Sequence, residues 1–276
     1  MWRSASCATI FMEIINAHVH VYPDAIATKA AMSIGQFYNA PVRHNGTIEE
    51  LLKENKENGI SKCLIHSVAT TTHQVQSINK YIKSLMDSHS EFIGFMALHP
   101  DMEKQQIEDE VQKAIEQGFK GVKLHPDCQK FYIDEQRAQK IYDVVEGRLP
   151  ILMHMGDTRY DYSSISRLLN VLNHYEGLQI IAAHMGGYSH WGEVGLYHAA
   201  KYNNFHFDTT SSLSFLSPEL ATTIIKDFGV DKYFFGSDYP MWRTDEELAL
   251  FYKLDLSKDE QEAILGKNLK DFLNIQ

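Results

Sequence analysis

Short apolar runs alternate with amphipathic stretches along the whole chain. The runs Glu13–Ala17, Lys62–Val68, Phe92–Leu98, Gly121–Leu124, Ile151–His154, Gln179–Ala183, Phe205–Thr209 and Tyr233–Gly236 have strand length, and several are near-continuous in Val, Ile, Leu and Phe. Such runs predict parallel strands covered on both faces. Between them, apolar positions recur at helical spacing over Ile48–Asn58, Val75–Ser88, Glu103–Gln117, Asp134–Glu146, Ser164–Tyr175, His190–Tyr202 and Pro218–Phe228. Glu246–Tyr252 and Lys258–Leu273 close the chain, the latter with Ser257 as its N-cap. Gly59, Gly118 and Gly147 each follow a periodic run, the usual helix stop. Strand and helix alternating to the end predict an α/β protein, a (β/α)₈ TIM barrel, a fold of typically ~250 residues. An open doubly wound sheet is the other arrangement the alternation permits. The chain reads as one barrel over 12–276 behind an extension, 1–11. Val21–Thr47 shows no clear period and predicts a long irregular first βα loop, of the kind that flaps over an active site.

Composition narrows the function classes. The 276 residues carry 26 Lys+Arg against 36 Asp+Glu, a net charge of −10, with no basic run to neutralise phosphates. A nucleic-acid partner is not expected. No stretch approaches the ~18 consecutive apolar residues of a membrane helix, and the first eleven residues lack a secretory apolar core. Met12, directly before the first strand, is an alternative start. Cys7, Cys63 and Cys128 form no paired pattern, which points to a reducing, cytoplasmic setting. GxGxxG, GxxxxGK[ST] and GxSxG are all missing, so the familiar nucleotide-binding and serine-hydrolase versions of an open sheet have no support.

The chemistry is positional. Of 14 histidines, His18, His20, His66, His99, His125, His154 and His184 fall at the ends of predicted strands, as do Asp208 and Asp238. In a barrel those ends converge on one face. His18 and His20 are two apart on a strand and point to the same side, as a shared metal ion requires. With His154, His184 and Asp238 at three further strand ends, the set suits a catalytic divalent ion with an open position. Lys123 and His125 on strand four, Arg159 and Arg243 after strands five and eight, and Tyr22 beside the first motif are candidate substrate contacts. Trp191 and Trp242 are candidates to wall the pocket, with aromatic packing as their default use; His66 and His99 are expected to be packed strand-end residues, and Asp208 to cap a loop.

Taken together, AHVH, MHMG, AAHMGG and GSDYP resemble the amidohydrolase superfamily over Ile14–Pro240. The spacing is most similar to its amidohydrolase-related branch, which includes aminocarboxymuconate-semialdehyde decarboxylase and the resorcylate-type decarboxylases. The resemblance implies a metal-dependent barrel with His18, His20, His154 and Asp238 as ligands. It implies Asp238 as a proton acceptor as well, and His184 beside the metal, handling the reacting group. One divalent ion is expected, zinc first, with manganese, iron or nickel as alternatives. A second ion enters only if Lys123 is carboxylated, as in binuclear members; packing, or binding a substrate carboxylate, is the simpler use of that lysine. The expected activity is hydrolysis, metal-activated water attacking an amide, ester or lactone of a small molecule. The alternative is non-oxidative decarboxylation of an aromatic or unsaturated acid, and a non-catalytic metal- or ligand-binding barrel is the reading from another class. The chain is shorter than such decarboxylases usually are, which weighs toward hydrolysis. No membrane partner is expected; a homo-oligomer built through the outer helices or loops is.

Overall fold

In the computed structural model, which describes residues 13–275, the strands form one eight-stranded parallel sheet in chain order. They are β1 (Ile14–His20), β2 (Ile60–His66), β3 (Phe92–Ala97), β4 (Gly121–Leu124), β5 (Ile151–Met153), β6 (Ile180–Ala182), β7 (Phe205–Asp208) and β8 (Tyr233–Phe234). The segment after β8 closes the ring onto β1. Ala17 N donates to Phe235 O at 2.7 Å, Asp238 N to His18 O at 3.0 Å and His20 N to Tyr239 O at 2.8 Å. The predicted barrel is therefore the observed architecture. The 1–11 extension, the Met12 start and Cys7 lie outside the described residues.

Two apolar layers hold the ring. One packs the outer faces of the strands against the helices. The other fills the barrel itself, where Ile15, Ala17, Leu64, Phe95, Leu152, Ile181 and Phe234 meet Leu269 and Leu273 of the last helix. That helix stoppers the N-terminal end of the barrel, and Lys270 Nζ reaches Glu13 Oε2 at 2.6 Å. The predicted single helix Lys258–Leu273 is interrupted by a π turn at Ala263–Lys267. A Cβ on Gly266 would lie 2.5 Å from the Glu13 carbonyl, so the glycine permits this close approach to the barrel floor.

Three local expectations are corrected. Val21–Thr47 is not irregular: it contains a helix, Asp24–Tyr38. Its buried face is made of Ala27, Ala31 and Gly35, small residues that leave little hydrophobic pattern to read. The expected helix His190–Tyr202 is a 3₁₀ segment over Trp191–Ala199. A short helix, Pro126–Gln129, starts directly after β4, with Pro126 at its first turn.

One irregularity aims the site. In β1 the pairing with β2 steps from Asn16↔Cys63 to Val19↔Ile65, so β1 holds one extra residue there. Ile15 and Ala17 point into the barrel. Strict alternation would send Val19 inward next; the bulge makes it His18 and His20 instead, while Val19 joins the outer layer. Asn16 fastens the bulge to the β8 loop: its Nδ2 donates to Ser237 Oγ at 2.7 Å, and its Oδ1 accepts from Ser237 N at 3.0 Å.

Candidate metal centre

The inward-turned histidines meet Asp238, which arrives from the β8 loop. His18 Nε2 and His20 Nε2 are 3.3 Å apart, and Asp238 Oδ1 lies 3.4 Å from the first and 3.5 Å from the second. A tetrahedral ion with bonds of about 2.0–2.1 Å has donor–donor edges of about 3.3–3.4 Å. The three donors therefore have the spacing of one face of such a tetrahedron, and the residues fit a divalent ion. A Cβ on Gly236 would come within 2.5 Å of Thr210 Cγ2 and 3.0 Å of His18 Cβ, so the glycine of GSDYP leaves room for the His18 ring.

The protonation states suit ligation. Burial, reinforced by the neighbouring Lys123 cation, pushes the His18 imidazole down to about 4. Burial likewise lowers His20. A lowered imidazole favours the neutral form that metal ligation requires. Burial acts to raise the Asp238 carboxyl, but His18, His20 and His184 outweigh it and hold the group well below the usual carboxylate range. His18 Nδ1 donates to Asp208 Oδ2 at 2.8 Å, which fixes the ring orientation and leaves the Nε2 lone pair facing the site. Asp208 is thus more than the expected loop cap. Its Oδ1 also accepts from His184 N at 2.8 Å and from Thr210 N at 3.2 Å, tying β6 and β7 to β1.

A second group of side chains forms the adjoining wall. His154 Nδ1 and His184 Nε2 are 2.8 Å apart, and His184 Nδ1 lies 2.9 Å from Thr210 Oγ1. His154 Nε2 faces Asp127 Oδ2 at 3.3 Å and Tyr38 OH at 3.4 Å; the same hydroxyl is 2.9 Å from His125 Nε2. His125, Asp127 and His154 bring ligand atoms within 4.8 Å of one another. The two rings nonetheless stack face to face, 3.9 Å apart with planes 8° off parallel. Parallel rings cannot both aim their in-plane lone pairs at one ion, so His125 and His154 are not arranged to share one. His154 shares the cavity with His20 and Asp238, but its nitrogens face His184, Tyr38 and Asp127.

The other expected contacts divide. Lys123 is buried inside the barrel with Nζ 3.0 Å from His18 Nε2, and burial lowers its amine to about 8. Tyr22 and His125 line the cavity. Arg159 does not; it pairs with Asp157 at 2.6 Å and lies over the Phe37 ring. Arg243 is also turned away, to Asp245 at 2.8 Å. Trp242 donates to Ser211 Oγ at 2.8 Å, and Ser211 donates to Asp238 Oδ2 at 2.5 Å, so this tryptophan holds the carboxylate's other oxygen. Trp191 stacks on Phe215 and donates to the His184 carbonyl.

Tyr38 and Asp127 are site residues that the sequence pattern does not single out, whereas His66 is the packed strand-end residue expected of it. Tyr38 sits on a helix that shows little pattern, and Asp127 in a turn with none. His66 packs its ring 4.8 Å from His18 and 4.4 Å from His20, with both nitrogens unpartnered. Its place at the end of β2 was the available signal. His184 and Asp238 both have left-handed backbones, φ 62° and 59°, a conformation that non-glycine residues adopt mainly where surrounding structure enforces it.

The model of the amidohydrolase family matches residues 15–275. A search of curated proteins finds no match. Among solved structures, the chain is similar to 5-carboxyvanillate decarboxylase from Sphingomonas paucimobilis, with TM-score 0.74 and 15% identity over 96% of this chain and 100% of that one. It is similar to the enzyme of that name from Novosphingobium aromaticivorans, complexed with manganese and 4-hydroxy-3-methoxy-5-nitrobenzoic acid (TM-score 0.75, 15% identity, 95% and 96% covered). A dihydroxybenzoic acid decarboxylase from Polaromonas, holding manganese and the inhibitor 2-nitroresorcinol, matches with TM-score 0.72 and 15% identity over 96% and 97%. At such identity the likeness is one of fold.

Proposed function

The chain belongs to the amidohydrolase family, and from that premise we propose that it is a metal-dependent decarboxylase of a small aromatic or unsaturated acid. The observation that carries the proposal is the His18–His20–Asp238 triangle of donors, at 3.3–3.5 Å spacing, opening on a cavity of about 640 Å³. The decarboxylases among the structural neighbours favour this reading over the hydrolysis expected from sequence, and the manganese in two of them favours that ion over zinc. His18, His20 and Asp238 would hold the ion, with His154 as the further ligand suggested by its motif.

A bound divalent ion supplies a Lewis acid that anchors and polarises the oxygens of an acid. The chain's residues do the rest. Decarboxylation breaks the bond between the carboxylate carbon and the substrate carbon that bears it; the electron pair stays on the latter, which takes up a proton as CO₂ leaves. His184, which lines the cavity and is oriented by His154 at Nε2 and Thr210 at Nδ1, is the residue proposed to manage that proton. Asp238, steadied through Ser211 and Trp242, is the second group able to hold a proton beside the substrate. Tyr38 and Asp127 fix the faces of His125 and His154 that line the cavity.

Hydrolysis is the second reading, and Lys123 favours it. Its amine is inside the site, where carboxylation would create a bridging ligand for a second ion. The two readings part in one experiment. The manganese- or zinc-loaded protein is offered hydroxybenzoates and a panel of esters, amides and lactones, while CO₂ release, acid release and metal equivalents are measured. CO₂ from an acid with about one equivalent supports decarboxylation. Acid release without CO₂, with two equivalents, replaces it by hydrolysis.

A further inference from the structure

The helix Asp24–Tyr38 carries two apolar stripes. Ala27, Ala31 and Gly35 seat it against the body of the protein. Ile26, Ala30, Ile34 and Phe37 form the other stripe, and all four line the cavity. Across from them stand Ile78 and Tyr81 of the helix Val75–Ser88. Ile26 remains 51% exposed, so protein atoms leave much of this stripe uncovered. The metal triangle and the imidazole wall lie in the same cavity, since His20, His125, His154, His184 and Asp238 also line it. The cavity thus joins an apolar chamber to a cation-binding, hydrogen-bonding side.

Charge is distributed to match. Among the described lining residues Lys130 is the only lysine or arginine, and it caps the short helix that begins beside His125. Arg159 and Arg243 are spent on Asp157 and Asp245. No cation from the two helices faces the apolar chamber. The volume of about 640 Å³ falls within the ~300–1,000 Å³ of pockets that enclose drug-sized ligands, larger than one compact ring needs.

Resting on the proposed reading of the metal side, we infer that the substrate is a monoacid with a bulky apolar body. Its single acidic group sits at the metal side, and an alkyl or aryl substituent fills the chamber between Ile34, Phe37, Ile78 and Tyr81. A second acidic group set against these apolar side chains would meet no cation from either helix, which disfavours dicarboxylates.

Binding to the manganese-loaded protein tests this without turnover. Calorimetry compares benzoate with 4-methyl-, 4-ethyl- and 4-butylbenzoate, biphenyl-4-carboxylate, terephthalate and the uncharged 4-butylbenzyl alcohol. Burial of one methylene is worth a factor of about two to four, so the four carbons of 4-butylbenzoate should make it bind about 16- to 250-fold tighter than benzoate. Terephthalate should bind more weakly than biphenyl-4-carboxylate. Ile34→Asn and Ile78→Asn should each shrink the ratio of 4-butylbenzoate to benzoate affinity within the variant. Affinity that does not grow with chain length, or terephthalate as the tightest ligand, overturns the apolar chamber whatever benzoate does. If 4-butylbenzyl alcohol binds as well as the acid and length still matters, the chamber stands and the acid-recognising metal side falls.

Discussion

Replacing Asp208 by asparagine should remove metal affinity while sparing the fold. The carboxylate is fully buried, and Oδ2 accepts the His18 Nδ1 proton at 2.8 Å. Its Oδ1 serves His184 N, Thr210 N and Thr210 Oγ1, and an asparagine oxygen can keep those three bonds. The amide nitrogen then faces His18 Nδ1 with a hydrogen of its own. The ring must answer by moving its proton to Nε2, the atom that faces His20 and Asp238, and the lone pair needed for ligation is gone. Loss of an outer-shell partner alone typically lowers metal affinity 10–100-fold, or about 1.4–2.8 kcal/mol. Asp208→Asn should fall at the upper end of that range or beyond, because the tautomer is inverted as well as released. Manganese affinity is measured by competition with a chelator of known strength, and the metal-free melting temperature serves as the control. An Asn variant that binds manganese within about twofold of wild type, with an unchanged metal-free melt, refutes the tautomer argument.

Other perturbations follow the same contacts. Saturating manganese at about 100 times its dissociation constant should stabilise the folded chain by about 2.7 kcal/mol; chelation should reverse this, and His20→Ala should show no such difference in denaturant melts. Gly236→Ala forces a methyl against Thr210 and His18, and at the ~1–3 kcal/mol of ordinary overpacking it should lower both the melting temperature and metal uptake. His206 lies in the barrel between Phe234 and Phe272, and burial, aided by Lys232, lowers its pKa to about 4. A histidine lowered on folding contributes stability that is fully present above about pH 6.5 and fades toward pH 4, up to about 3 kcal/mol. His206→Phe should flatten that part of the stability–pH curve, and an unchanged slope in urea melts from pH 4 to 7 would count against the assignment.

Much of this protein was legible without coordinates. Strand-length apolar runs and glycine stops specified parallel strands alternating with helices, a pattern that a closed barrel and an open doubly wound sheet share, and the bonds from the segment after β8 to β1 decided for closure. A barrel gathers strand ends on one face, so His18, His20, His125, His154, His184 and Asp238 could be assigned to a common cavity from position alone. The helix Asp24–Tyr38 was not legible, since it seats itself through Ala27, Ala31 and Gly35 and turns its larger apolar side chains to a cavity. Nor could spacing show that Arg159 and Arg243 spend their charge on near neighbours, which depends on local geometry within two residues. The direction of the first motif was likewise a tertiary decision. Two residues apart guarantees that His18 and His20 share a side, but period two cannot say which one. The extra residue in β1, fastened through Asn16 to Ser237 some 221 positions away, turned that side inward, because a bulge shifts strand parity and its anchor comes from the far end of the chain.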